Sequence, residues 1–269
     1  MVEIAIDSRG ARLNGLVYLA PGPGLHPVVI FLHGYPGSEK NLDLAQAVRR
    51  AGYDALYIDY RGVWGSGGTF SFGHGLEDTK TVLAWARDNR TAAKYGFDVQ
   101  RMAVVGHSFG GWLALMTASD EPVSVCVAGL AAWNVGGAAL RFSSHPDERI
   151  ANLNDLRAST DPAGGPVRAK AEDLLGEMIS HAAEWDYRSR AAAMGDRAFL
   201  LVAATRDSPD EDVPMHEELE RALRASGSRR VTLIRYEDDH LFSSHRIALA
   251  NVLVTWLEGD CADAQRHRR

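Results

Sequence analysis

Two regimes of hydrophobic patterning divide the chain. Residues 2–6 and 12–19 alternate apolar with polar positions and are separated by Ser8-Arg9-Gly10, the pattern of a half-exposed antiparallel hairpin. Beyond it the strand-like segments become short, nearly continuous apolar runs: Val28–Leu32, Ala55–Ile58, Met102–Val105, Val123–Ala128, Phe199–Ala204 and Val231–Tyr236. Such runs suit strands covered on both faces. Helix-period segments lie between them at 41–51, 76–89, 109–118, 213–225 and 244–257, the last with Ile247, Leu249, Val252, Leu253 and Trp256 on its apolar stripe. This alternation predicts an α/β fold: a mostly parallel, twisted sheet of about eight strands with helices on both faces and ligands at the carboxyl ends of the strands.

One interval breaks the alternation. Residues 134–196 hold no strand-like run but carry helical stretches near 147–158 and 167–184, so they read as a helical cap inserted between two strands. Gly136-Gly137 opens the interval and Asp161-Pro162-Ala163-Gly164-Gly165-Pro166 interrupts it with turn chemistry. The expected organisation is a core in two parts, 1–133 and 197–258, the cap at 134–196, and a polar tail at 259–269 that frays.

Composition narrows the function classes. With 46% hydrophobic and 24% charged residues the chain is ordinarily globular, and its length allows a substantial core. Thirty-five acidic against 29 basic side chains, with no Lys/Arg run, argue against nucleic acid as a partner. The first residues lack the charge order and apolar length of a signal peptide, and stretches free of charged and strongly polar side chains, such as Val125–Trp133, are far short of the ~20 needed to span a bilayer. Cys126 and Cys261 lie far apart in unlike surroundings, so neither a disulfide framework nor a Cys-rich zinc site is expected, and a reducing cytoplasm fits.

The sharpest local signal is Gly106-His107-Ser108-Phe109-Gly110-Gly111, a Gly-x-Ser-x-Gly turn between the Met102–Val105 strand and the helix from Trp112. A serine on such a turn projects its hydroxyl above the sheet, which makes Ser108 the candidate nucleophile. With His33-Gly34-Tyr35-Pro36-Gly37, the loop Asp59–Gly68 and acid and histidine segments in the order Ser, Asp, His, the chain resembles the α/β-hydrolase family over nearly its whole length. Within it the chain looks most like the esterases and the catalytic domains of prolyl-oligopeptidase-like enzymes. A long amino-terminal region that would form a propeller gate is not seen, which places peptide cleavage behind ester cleavage.

A serine hydroxyl needs a neutral imidazole to take its proton and a carboxylate to orient that imidazole. His240, after the Val231–Tyr236 strand and Glu237-Asp238-Asp239, is the expected base; His245 reads as a surface or capping residue, and His107 as shaping the elbow. Asp207, ending the run from Phe199, is the expected acid, with Asp210 in Asp210-Glu211-Asp212-Val213-Pro214 as its rival. The resemblance implies an oxyanion hole from the amides of Phe109 and Tyr35, with the Tyr35 phenol either assisting or walling the pocket. Asp59 reads as a loop-bracing carboxylate. Trp133, Trp185, Tyr187, Met178 and His181 are candidate substrate-binding residues, competing with a plain core role.

The expected activity is a cofactor-independent, metal-free serine hydrolase acting on a carboxylic ester, then a thioester, then a short peptide or amide. A non-catalytic ligand-binding member of the fold is the rival. Ser at position 108 argues against the aspartate-nucleophile dehalogenases and epoxide hydrolases. A small-molecule acyl substrate is the expected partner, without nucleic acid or membrane; a homodimer is compatible with the sequence.

Overall fold

A computed structural model describes residues 1–121, 125–160, 165–207 and 212–266. The amino-terminal alternation forms β1 (Val2–Ser8) and β2 (Ala11–Tyr18), paired antiparallel from Val2 opposite Val17 to Ser8 opposite Ala11. Arg9 and Gly10 turn the hairpin with φ of 56° and 81°, the left-handed conformation that matches the strand twist in a two-residue connection. The apolar runs become β3 (His26–Leu32), β4 (Asp54–Ile58), β5 (Phe97–His107), β6 (Val125–Leu130), β7 (Phe199–Ala204) and β8 (Val231–Tyr236). Among the described residues they form one eight-stranded sheet in the order β1-β2-β4-β3-β5-β6-β7-β8, parallel from β4 to β8.

Side chains alternate between two cores, as expected of strands buried on both faces. Val28, Ile30 and Leu32 of β3 join one apolar cluster, while Val29 and Phe31 join the other. The second cluster is closed by α1 (Leu42–Arg50) and α10 (Arg246–Trp256), through Leu44, Val48, Leu249 and Leu253. The first is closed by α2 (Phe72–Arg87), α4 (Phe109–Asp120) and α9 (Asp212–Ala225), the last through Leu219 and Leu223. Between α2 and β5 lies α3 (Asn89–Tyr95), which the sequence reading missed; it has no buried residue and thus no apolar stripe, but Asp88 caps it and left-handed Gly96 ends it.

Between β6 and β7 the described residues form α5 (Val135–Arg141), α6 (Pro146–Ser159), α7 (Ala171–Ser180), a 3₁₀ turn at Tyr187–Arg190 and α8 (Ala191–Met194). Gly136 and Gly137 lie inside α5 rather than in a turn. A Cβ on Gly136 would fall 2.2 Å from the Asp186 nitrogen, so close packing against the backbone of 182–186 requires glycine there. Of the interrupting cluster, residues 161–164 lie outside the described residues, as does Val123 at the expected start of β6.

The end of the chain corrects two expectations. A π-helical turn at Leu257–Cys261 and α11 (Ala262–Arg266) extend α10 without a break and lie against the sheet, where Gln265 donates to the Met102 carbonyl, so residues 259–266 are helical where fraying was expected. Cys261 is disulfide-bonded to Cys126 of β6, with both residues only 2% exposed. Sequence distance concealed the pairing because the packing of this helical extension against β6 is a tertiary event. The bond also removes the cysteine argument for a reducing compartment. No helix among the described residues is long and apolar enough to cross a membrane.

Candidate active site

The parallel strand β5 ends at His107, and the chain reverses at once into α4, with Ser108 between them at φ 55° and ψ −119°. That left-handed backbone costs about 1–3 kcal/mol for a non-glycine residue and is held by its surroundings. The Ser108 N–H donates to the Leu130 carbonyl at 2.9 Å, and the Ser108 carbonyl accepts from the amides of Trp112 and Trp133. Space is equally restrictive. A Cβ on Gly106 would lie 1.9 Å from the Gly110 carbonyl oxygen, and one on Gly110 would lie 2.0 Å from that of Leu32. A Cβ on Gly34 would lie 3.0 Å from the Ser108 Cβ, so glycine there lets the β3 loop come close against the serine.

Pairing of β7 with β8 continues past the strands through Thr205 N–H to the Tyr236 carbonyl and Arg206 N–H to the Asp238 carbonyl. This places the Asp207 turn beside the loop that carries His240. Asp239 accepts the amides of Leu241 and Ser243, and Asp238 accepts those of Asp239 and Ser244, together fixing the tight loop around His240. Phe242, at φ 55° and fully buried, anchors it. His240 Nδ1 and Asp207 Oδ2 are hydrogen-bonded at 2.5 Å. Burial opposes a charged His240 ring, but the hydrogen bond and charge of Asp207, helped by Asp212 and Asp239, outweigh it and raise the pKa above the ordinary value.

His107 ties the elbow to the histidine loop: its Nε2 is bonded to the His240 carbonyl at 2.8 Å, and the two rings lie 4.7 Å apart. Because a carbonyl can only accept, Nε2 carries the proton there. Burial and the neighbouring His240 press its pKa down to about 3, which keeps the ring neutral. His245 is bonded to Asp238 at 2.9 Å, away from Ser108's partners.

Ser108, Asp207 and His240 line one cavity of about 200 Å³, with Ala131, Ala132 and Trp133 at the end of β6 forming its apolar wall. Phe109, first residue of α4, has an N–H that the helix itself leaves without an acceptor. Among the described residues no acceptor takes the Tyr35 N–H. The Tyr35 phenol is hydrogen-bonded to the Ser159 hydroxyl of α6 at 2.8 Å, and its ring rests on Phe70 and Phe72. Burial pushes that phenol up to about 12. The side chain therefore joins the β3 loop to the inserted helices. Asp59 is held by Lys40 at 3.0 Å and by the Tyr57 hydroxyl, and it lies 3.7 Å from His33, bracing the same loop.

Of the five candidate substrate-binding residues, Trp133 lines the cavity, with its ring 5.7 Å from that of Phe72. The other four do not. Met178 and Tyr187 are fully buried, and the Tyr187 hydroxyl donates to the Ala132 carbonyl. Trp185 is packed edge-on against Trp112, whose indole N–H donates to the Trp185 carbonyl at 2.8 Å. His181 is exposed at the end of α7, stacked on Trp185 and paired with Glu184. The inserted segment packs Met178, Trp185 and Tyr187 into the core beside α2 and α4, so their apolar character signalled burial rather than a wall of this cavity. Five lining residues were not singled out from the sequence: Ala131, Ala132 and Asn134 after β6, and Asp212 and Met215 on the first turn of α9. For Asp212 the available signal was the acidic run before Val213-Pro214, read there as stabilisation of a helix end. Asp210, the rival acid, lies outside the described residues.

Comparison with known proteins agrees with this geometry. Residues 29–252 match the alpha/beta hydrolase family. Over 105 residues the chain is 34% identical to 2-succinyl-6-hydroxy-2,4-cyclohexadiene-1-carboxylate synthase of Escherichia coli (strain UTI89 / UPEC), covering 39% of this chain and 37% of that protein. Its matches span 37% to 51% of the length of such curated relatives. In structure it is similar to ferulic acid-bound Est1E from Butyrivibrio proteoclasticus, with TM-score 0.68, 16% identity and coverage of 96% of this chain and 99% of the other. The Pyrococcus furiosus esterase Pf2001 gives TM-score 0.68 and 18% identity, with coverage of 96% and 90%.

Proposed function

The chain belongs to the alpha/beta hydrolase family, and on that premise we propose that it is a serine hydrolase of carboxylic esters, with Ser108 as nucleophile, His240 as base and Asp207 as the orienting acid. The observation that carries this reading is the strained Ser108 elbow opening into the same cavity as the His240–Asp207 pair. The esterase among its structural neighbours supports the substrate class. Thioesters rank second and short amides third.

With Nδ1 engaged by Asp207, Nε2 is the nitrogen free to serve the serine. As the Ser108 oxygen bonds to the acyl carbon, its proton passes to Nε2 and the carbonyl π electrons move onto oxygen. The amides of Phe109 and Tyr35 receive that oxyanion; each such donor contributes about 2.7–4 kcal/mol to the transition state. Collapse re-forms the carbonyl and expels the alcohol, which takes the proton from Nε2 and leaves an acyl-serine. Water then repeats the sequence, its proton going to Nε2, and releases the acid and free Ser108. Asp207 stays ionised throughout and holds the ring through Nδ1–H.

A fluorophosphonate probe tests this. The expected result is labelling of wild type, none of Ser108→Ala, and loss of p-nitrophenyl acetate hydrolysis in that variant. A folded wild type that is neither labelled nor active would defeat the proposal. For the acid, Asp207→Asn is expected to lose far more activity than Asp210→Asn; equal activity would overturn the assignment.

A further inference from the structure

The cavity beside Ser108 contains a carboxylate that the reaction above leaves unused. Asp212 is the first residue of α9 and is only 7% exposed. Its Oδ2 accepts the Ala204 N–H at 2.6 Å, which fixes it to the end of β7. Its Oδ1 lies 3.1 Å from Nδ1 of His216, and that Nδ1 is bonded more closely, at 2.6 Å, to the Asp212 carbonyl. His216 is fully buried, and its Nε2 accepts the Ala132 N–H at 3.2 Å. Burial opposes charge on this ring and the adjacent Asp212 raises its pKa, but a ring nitrogen that accepts an amide proton carries none of its own, so in this hydrogen-bond arrangement the imidazole gives Asp212 only its Nδ1–H and no opposing charge.

Apart from the donors assigned to the reaction itself, the rest of the lining offers no cation to an anionic acyl group. Asp207 is a second carboxylate, its charge turned to His240. Asn134, a neutral amide, gives one of its two Nδ2–H protons to Asp186 at 2.7 Å. No Lys or Arg lines this cavity among the described residues. A carboxylate on the acyl group would enter a partly dry pocket facing a fixed negative charge of the same sign, without a partner to offset its desolvation.

We propose that Asp212 is a specificity-determining residue that makes the Ser108 site favour esters of uncharged or cationic acyl groups over esters whose acyl group bears a carboxylate. The proposal rests on the serine hydrolase reading. Charge selection here is built by exclusion: the carboxylate is held by the Ala204 amide and a neutral histidine rather than by an ion pair, so its field reaches the cavity.

The test uses p-nitrophenyl esters of similar-sized acyl chains ending in methyl, carboxylate or trimethylammonium, each rate normalised to uncatalysed hydrolysis. In wild type kcat/KM for the carboxylate ester is expected to be lower than for the methyl ester by about tenfold or more, with the trimethylammonium ester at least equal to the methyl one. Asp212→Asn keeps an oxygen for the Ala204 N–H and is expected to shrink that ratio by about tenfold. Should the variant not fold, the wild-type ratio still decides: a carboxylate ester turned over as well as the methyl ester overturns the proposal. Fluorophosphonate labelling of Ser108 is run on the same protein. Labelled enzyme with a flat charge profile, or an unchanged ratio in folded Asp212→Asn, overturns this proposal alone. Absence of both labelling and turnover overturns the hydrolase reading and this proposal with it.

Discussion

Breaking the Cys126–Cys261 bond measures how far the carboxyl-terminal segment is held by covalent closure rather than packing. The bond closes a sequence separation of 135 residues. Chain-entropy closure of a loop that long corresponds to about 5 kcal/mol at 25 °C, and measured bonds typically contribute about 2–4 kcal/mol. The packed segment offsets part of the loss. Leu253, Trp256 and Leu257 are buried in the same core, and Gln265 donates to the Met102 carbonyl at 2.8 Å. A loss of about 3–4 kcal/mol is therefore expected, moving the guanidinium midpoint of Cys126→Ser/Cys261→Ser down by roughly 0.6–1 M. Turnover without denaturant should persist. Cys126 stands opposite Ala103, five positions before Ser108 on the adjacent strand and so roughly 16 Å from it. Equilibrium unfolding with and without reductant, beside thiol titration of the denatured, unreduced protein, gives the answer. Two free thiols, or coincident unfolding curves, would refute the reasoning.

Two further outcomes follow from the charge placement. Because Asp207 raises the His240 pKa and only the neutral ring can accept the Ser108 proton, kcat/KM should fall on the acid side with an apparent pKa above 6.5. A pH profile with its acid limb below that value contradicts the assignment. Fully buried Asp78 accepts from Arg61 Nε and Ser8 Oγ, each at 2.6 Å, and from the Arg61 amide at 2.8 Å. Asp78→Ala strands the Arg61 charge and should cost about 3–5 kcal/mol in denaturant unfolding; a loss under about 1 kcal/mol would mean that Glu77, also paired with Arg61, suffices.

The legible parts of the fold were those governed by local period. Each central strand announced itself as an apolar run because both faces are covered, and the elbow was visible because Gly106 and Gly110 stand where no Cβ fits. What stayed hidden depended on how distant elements meet. The helix α3 carries no buried stripe. The glycine pair in α5 is explained by the backbone of 182–186, which only folding brings against it. The disulfide needed the packing of the helical extension of α10 against β6.

The candidate site divides along the same line. Ser108, His240 and Asp207 sit at strand ends, where the order of strands in a parallel sheet dictates which loops are neighbours, so chain order and strand boundaries sufficed to bring them to one cavity. The lining depends instead on which face the inserted helices present, and aromatic or Met side chains signal only that a surface is covered. Trp185, Tyr187 and Met178 are covered by protein. Asp212 shows the complementary failure. A carboxylate at the start of a helix has a sufficient local explanation in the helix itself, and that explanation hid a position whose oxygen is fixed by Ala204 and which opens on the cavity of Ser108. Residues that satisfy a local rule and also face a reactive site are those a sequence reading assigns to the local rule, and their second role emerges only from the hydrogen bonds they make across the fold.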